Sequence, residues 1–320
     1  MSAKYFSGYK KKFFQGWYFK QAVNGHSVAF IPGYAVDKGK LSSAFIQVVT
    51  DKGGYMAEYP IDEFFADRHR LRIKIGKSEF SEAGLKIDIR TAGICAKGEV
   101  AFSPFNPPEA GFFTPNIMGP FDMLLMECKH YIYSLNHSVN GVLKVNSEEF
   151  IFNEGRGYCE GNRGRSFPKN YFWLQSNLFG APDSSFTLSV ADVPFFGTEF
   201  CGFASIFKYK GNERRFATYN GAKITLFEDR GDSVHISLKR GSETLEASVA
   251  LQHGGDLKTP KDGRMAQSVK EAHSASLSLK VTDGGKVIFS EKGIICSAEN
   301  FGKVRCSLRE PATAAGAVKP

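Results

Sequence analysis

Short runs of alternating apolar and polar residues, broken by paired turn residues, constrain this chain more than any other feature. "RLRIKIG" from Arg70, "LKIDIRT" from Leu85, "SVHISLKRG" from Ser233 and "ASLSLKVTD" from Ala275 all switch character at every step. A period of two places one set of side chains on each face of a pleated strand. Gly53-Gly54, Gly211-Asn212 and Gly284-Gly285 punctuate the runs with residues that tolerate tight turns. Helix-period patterns are scarce, and only "PIDEFFADRHRLR" from Pro60 could hold a helical turn. The chain is therefore expected to be all-β. Its 29 Phe residues suit strands that enclose a wide apolar interior.

The two halves resemble each other. "GWYFKQ" from Gly16 parallels "NYFWLQ" from Asn170, each an aromatic triplet ending in Gln. "AFIQVVTDKG" from Ala44 parallels "FASIFKYKG" from Phe203, and "AEYPIDEF" from Ala57 parallels "ATYNGAKI" from Ala217. Three matches in the same order indicate a duplicated unit. Many antiparallel strands in a unit of this size suggest a curled sheet or small barrel. The expected organisation is two consecutive β-barrel domains, 1–135 and 136–308, followed by a disordered Ala- and Pro-rich tail, 309–320. A loop over 103–122 holds prolines at 104, 107, 108, 115 and 120, which forbid ladder pairing. Its Phe105, Phe112, Phe113 and Phe121 need something to lie on, and the mouth of a cavity is the expected place.

The net charge of +8 comes from Lys and Arg scattered along the chain, which describes a solvated basic surface and not a nucleic-acid partner. Lys10 to Lys12, set beside aromatics, suit transient contact with an anionic membrane surface. The six cysteines show neither C-x-x-C pairs nor metal-type spacing, so reduced thiols in a cytoplasmic protein are expected. No charged segment leading into an apolar run opens the chain, and no run reaches the length of a membrane span. The seven histidines are dispersed; His130 and His137 would fall on opposite faces of one strand, so no metal site is expected.

The stretch "GYCEGNRGRSFPKNYFWLQSN", from Gly157 to Asn177, carries the chemistry. Glu160 sits among Gly157, Gly161 and Gly164, which let a backbone turn tightly or approach a ligand. Alternation then places Tyr171, Trp173, Gln175 and Asn177 on one face. If that face lines a barrel lumen, Trp173 is apolar wall and Gln175 a polar fixing group. Two readings of Glu160 stay open: a carboxyl buried in an aromatic cavity, or a turn residue paired with Arg163 or Arg165. Burial raises a carboxyl pKa and an arginine partner lowers it, so the two differ in sign.

The same stretch resembles the tocopherol cyclase family, whose signature runs Y-x-E-K-N-W-G-x-x-F-P-x-x-W-x-W-x-Q-x-N. Tyr158, Glu160, Asn162, Gly164, Phe167, Pro168, Trp173, Gln175 and Asn177 match it. "FFQGWYFK" from Phe13 looks like the family's F-E-G-W-Y-F-K with Gln15 in place of the acid, and "HSVNGVLKVNSEEFIF" looks like its preceding strand pair. Gly161, Arg163 and Tyr171 depart from the signature, which puts the plant substrate in doubt more than the fold. The resemblance implies a pair of lipocalin-like barrels and cofactor-free closure of a chromanol ring on a prenylated quinol. Such a reaction delivers a proton to an alkene and shields the resulting cation from water. Glu160 would be the proton donor in cyclisation, or a related hydration or isomerisation, of a hydrophobic small-molecule substrate, a prenylated quinol or other isoprenoid. Trp17, Tyr18, Tyr158, Phe167 and Trp173 would form the wall, Asn162 and Gln175 would orient oxygens, and His130 would add a hydrogen bond. For Trp17, plain core packing is an equal alternative. A carrier of a lipid, quinone or pigment, without turnover, is the other reading of the same residues.

Overall fold

The structure is a computed structural model, and it describes residues 5–306 apart from 24, 38–39, 196–197 and 252–253. The expected tail over 309–320 lies outside the described residues. The first sheet contains β1 (Phe13–Val23), β2 (His26–Asp37), β3 (Lys40–Thr50), β4 (Gly53–Tyr59), β5 (Phe64–Ala66), β6 (Arg72–Ile75), β7 (Ser78–Ser81), β8 (Gly84–Arg90), β9 (Cys95–Phe102), β10 (Cys128–Val145) and β11 (Glu148–Gly164). The second contains β12 (Tyr171–Leu178), β13 (Ser185–Phe195), β14 (Thr198–Tyr209), β15 (Asn212–Ala217), β16 (Lys223–Asp229), β17 (Ser233–Arg240), β18 (Glu243–Ala250), β19 (Gly255–Lys261), β20 (Arg264–Asp283) and β21 (Lys286–Phe301). The all-β expectation holds, and the helical turn expected near Pro60 is a single 3-10 turn, Ile61–Glu63.

Both sheets follow one plan. In the first, the order is β4-β3-β2-β1-β11-β10-β9-β8-β7-β6-β5; in the second, β15-β14-β13-β12-β21-β20-β18-β17-β16, with β19 hanging on β20. Each unit thus pairs its first strand with its last in the middle of its sheet, and β4, β5, β15 and β16 end the strand paths. That pairing also corrects the boundary. Residues 135 and 136 fall inside β10, and the first unit ends only where β11 has paired with β1, at Gly164. The second unit begins at Tyr171.

Alternation explains the interiors. Leu85, Ile87 and Ile89 point inward from β8 and join Trp17, Phe19, Phe30 and Phe80 in the first core. Leu238, Leu245 and Val281 join Phe172, Leu174 and Phe207 in the second. β1, β2 and β12 are buried on both faces. One face fills its own unit; the other meets the other sheet in a third cluster that includes Tyr18, Ile132, Tyr158, Trp173, Ile206 and Leu257. This corrects the lumen expectation: Tyr171 and Trp173 lie in the contact between sheets, whereas Phe172 and Leu174 fill the second interior. It also refines the repeat. "GWYFKQ" and "NYFWLQ" do occupy equivalent strands, β1 and β12, but Trp17 points into its unit while its sequence match Tyr171 points out. A one-residue slip exchanges every face of a strand.

Two further expectations change. Cys201 and Cys306 form a disulfide with an S–S distance of 2.03 Å; Cys95, Cys128, Cys159 and Cys296 are free. β14 and the segment after β21 bring the pair to a Cα–Cα distance of 5.3 Å, a closeness invisible at a separation of 105 residues. The 103–122 loop divides. Ile117, Met118 and Phe121 line a cavity as expected. Phe105 instead stacks on His137 at 4.6 Å, and Phe112 and Phe113 stand 90% and 66% exposed.

The glycine-rich segment lies within strand β11 and is not a turn, and Gly157 and Gly161 make room for side chains of β10. A Cβ on Gly157 would overlap the His137 imidazole, and one on Gly161 would press the Tyr133 ring. His137 has little room to yield, because Phe102 meets it edge-on and Phe105 stacks on it, each at 4.6 Å. Gly157→Ala is expected to cost about 1–3 kcal/mol through overpacking. Denaturant melts check this; an unchanged midpoint would refute the steric account.

Candidate active site

β11 lies between β1 and β10, so Glu160 has Tyr18 opposite it on one side and Ile132 on the other. Its side chain points to the contact between the sheets and is only 4% exposed. Four groups reach its carboxyl. Tyr158 Oη–H donates to Oε2 at 2.6 Å, Trp173 Nε1–H at 3.2 Å, and His130 Nε2 lies 2.9 Å from the same oxygen. Asn162 Nδ2 approaches Oε1 at 3.4 Å. The indole N–H and the amide NH2 can only donate, so Glu160 acts as an acceptor here. With His130 Nε2–H turned to Glu160, its Nδ1 is left to accept from Ser189 Oγ at 3.3 Å. Any proton carried by Glu160 must sit on Oε1, since Oε2 is already filled. The arginine alternative fails: Arg165 pairs with Asp262 at 2.5 Å, and Arg163 bonds Ser7 and lies over the Tyr131 ring.

These groups edge a cavity of about 240 Å³ between the two sheets. Phe14, Ile31, Phe45, Phe167, Phe203 and Leu257 are among its apolar walls, while Glu160, His130, Asn162 and Glu299 are among its polar points. Phe167 sets its ring edge against Phe14 at 5.4 Å and Tyr171 at 5.7 Å. A greasy cavity with a few converging polar groups is what a small hydrophobic ligand requires.

A second polar cluster adjoins the first. Tyr18 Oη–H donates to Glu271 Oε1 at 2.6 Å, and His273 Nδ1 meets the same oxygen at 3.0 Å. Lys20 Nζ donates to Gln175 Oε1 at 3.0 Å. Lys20 has no exposure, and burial draws its pKa down to about 8 although Cys296 and Glu271 oppose that shift. Burial, with the adjacent carboxylates Glu160 and Glu271, holds the phenols of Tyr158 and Tyr18 well above their ordinary value.

Over residues 122–302 the sequence matches the model of the tocopherol cyclase-like family. The chain belongs to that family. No curated protein matches the sequence. Two solved structures share the fold. One is a Nitrosomonas europaea protein given the name AttH, with a TM-score of 0.50 and 9% identity over 90% of this chain and 92% of its own. The other is kievitone hydratase from Nectria haematococca, with a TM-score of 0.50 and 11% identity over 90% of this chain and 88% of its own. Identities this low speak to the fold alone.

Of the residues singled out by the family's motif, the structure brings Glu160, Tyr158, Asn162, Phe167 and Trp173 together, with Tyr18 and His130 beside them. Trp17 stands apart, fully buried in the first core and stacked near Phe64 at 6.5 Å. Gln175 is buried too and spends its oxygen on Lys20 rather than on the cavity. Sequence reasoning passed over Glu299, Tyr171 as a hydrogen-bond donor, Ser189, and the Glu271–His273 pair. Alternation along "KEAHSAS" from Lys270 puts Glu271 and His273 on one face, which was the available signal.

Proposed function

We propose that this protein adds an oxygen nucleophile across a carbon–carbon double bond of a prenylated, quinol-like substrate, closing a ring or adding water. The observation that carries this reading is a buried carboxyl, Glu160, ringed by Tyr158, His130 and Trp173 at the edge of an apolar cavity. Protonation of a trisubstituted alkene gives a tertiary cation, which the oxygen then captures. A proton moves and no electrons leave the substrate, so the reaction needs no redox partner. Aromatic side chains near the site, Tyr18, Tyr171 and Trp173, can steady the cation, and the apolar walls disfavour water beside it. Glu160 is the residue assigned to proton transfer, with His130 and Tyr158 setting its orientation.

Incubation with geranylhydroquinone, followed by mass spectrometry, tests the reading. A product of unchanged mass with one fewer free phenol hydroxyl indicates ring closure; one heavier by a water indicates hydration. Tight binding with no product across a panel of prenylated quinols would replace the enzyme by a carrier.

A further inference from the structure

The two units share a plan, and the plan places a second acid in the same cavity. In the first sheet the last strand, β11, sets Glu160 opposite Tyr18 of the first strand. In the second sheet the last strand, β21, sets Glu299 opposite Trp173 of the first strand. Both carboxyls line the one cavity. Trp173 is common to them: its Nε1–H donates to Glu160, and Glu299 is its ladder partner. The surroundings of the two acids differ. Glu160 is encircled by four groups, whereas Glu299 receives one hydrogen bond, from Tyr171 Oη–H to Oε2 at 2.7 Å. Across the next ladder Glu299 faces Glu271, itself bonded by Tyr18 and His273. Two carboxyls directly opposite one another repel if both are ionised. The one with fewer donors holds the proton, and that is Glu299.

We infer that Glu299 is the proton donor of the cavity and Glu160 the acceptor, a division of labour between two carboxyls. This rests on the proposed addition reaction. Glu299 Oε–H gives its proton to one alkene carbon, forming a C–H bond as the π bond breaks. The neighbouring cationic carbon takes an electron pair from a hydroxyl of the substrate or from water, forming the C–O bond. The proton released from that oxygen passes to Glu160, and exchange with solvent returns the two carboxyls to their starting states. Consistent with this, burial pushes the Glu299 pKa up to about 8; the Glu271 and Glu160 charges add to the rise and the Tyr171 hydrogen bond opposes it. Glu299 keeps partial exposure because it opens on the cavity, while protein encloses the rest of it. Pairs of acids whose environments separate their protonation are a recurrent arrangement in acid–base catalysis.

Glu299→Gln keeps an acceptor for Tyr171 and removes the proton. Infrared titration of the ligand-free protein reads the inference without any substrate. A protonated-carboxyl band that disappears near pH 8 in the wild type should be missing in Glu299→Gln and retained in Glu160→Gln. With geranylhydroquinone, Glu299→Gln should lower kcat about a hundredfold or more with the dissociation constant unchanged. It should also lose the alkaline limb of the pH–rate profile. A band that persists in Glu299→Gln, or wild-type kcat in that variant, overturns the inference. Inactive Glu160→Gln beside fully active Glu299→Gln would retain the reaction and discard only the second acid. A wild type that binds the probe without turning it over would instead discard the reaction, and the infrared band would then decide whether Glu299 holds a proton.

Discussion

Glu160→Gln is expected to lower turnover by about two to four orders of magnitude, the usual share of positioned acid–base catalysis, while ligand binding persists. Glutamine has nearly the volume of glutamate, and its carbonyl can still accept from Tyr158 and Trp173. It cannot take or give a proton under working conditions. The fold should survive, because the carboxyl lies at the contact between sheets and not in either interior. Melting temperature, affinity and kcat belong on one sample. A lower melting temperature with full activity would make Glu160 a structural residue and end its catalytic assignment.

Alkaline pH is expected to destabilise the protein in a stepwise way. The Cys159 and Cys296 thiols have no exposure; burial raises Cys159 well above its ordinary value and pushes Cys296 up to about 12. In the unfolded chain both titrate near 9. Above that pH the unfolded state sheds protons that the folded state keeps, so stability falls by about 1.4 kcal/mol per thiol per pH unit. Lys20 acts in the opposite sense. Its folded pKa of about 8 lies below its unfolded value, so the penalty for burying its charge fades as pH rises from about 8 to 10.5. From pH 9 to 10 three thiols with raised pKa, Cys128, Cys159 and Cys296, outweigh one lysine, so stability falls. Above pH 10 the Tyr18 and Tyr158 phenols join the thiols and the loss steepens. Replacing Cys159 and Cys296 by Ala together should flatten the slope between pH 9 and 10, because only Cys128 is then left to oppose Lys20. Thermal melts across pH 8–11 check this, and a flat wild-type profile would contradict it.

Much of the fold was legible because the period of two survives wherever a strand has one wet face. β8, β17 and β18 alternate cleanly. β1 and β12 do not, since both of their faces are covered, and their unbroken aromatic runs hid which residues point where. Such runs give no sign that Trp17 and Tyr18 face opposite ways, or that Trp17 and Tyr171 do. The site was legible as far as one strand could carry it: Tyr158, Glu160 and Asn162 sit on alternate positions of β11. Glu299 and the disulfide partner of Cys201 come from segments more than a hundred residues away, where local pattern holds no information. The boundary between units is likewise absent from local pattern. β10 and β11 look like the opening of the second unit by position, yet pairing with β1 assigns them to the first.

The duplicated plan has a consequence for ancestry and for protein dissection. Glu160, His130 and Tyr18 come from one unit; Trp173, Ser189 and Glu299 come from the other. Neither half, cut within the link between Gly164 and Tyr171, contains a working centre. A single-unit ancestor would have built such a centre only as a homodimer, with two copies facing each other across a symmetry axis. Two separately produced halves should therefore be inert alone and regain ligand binding when mixed.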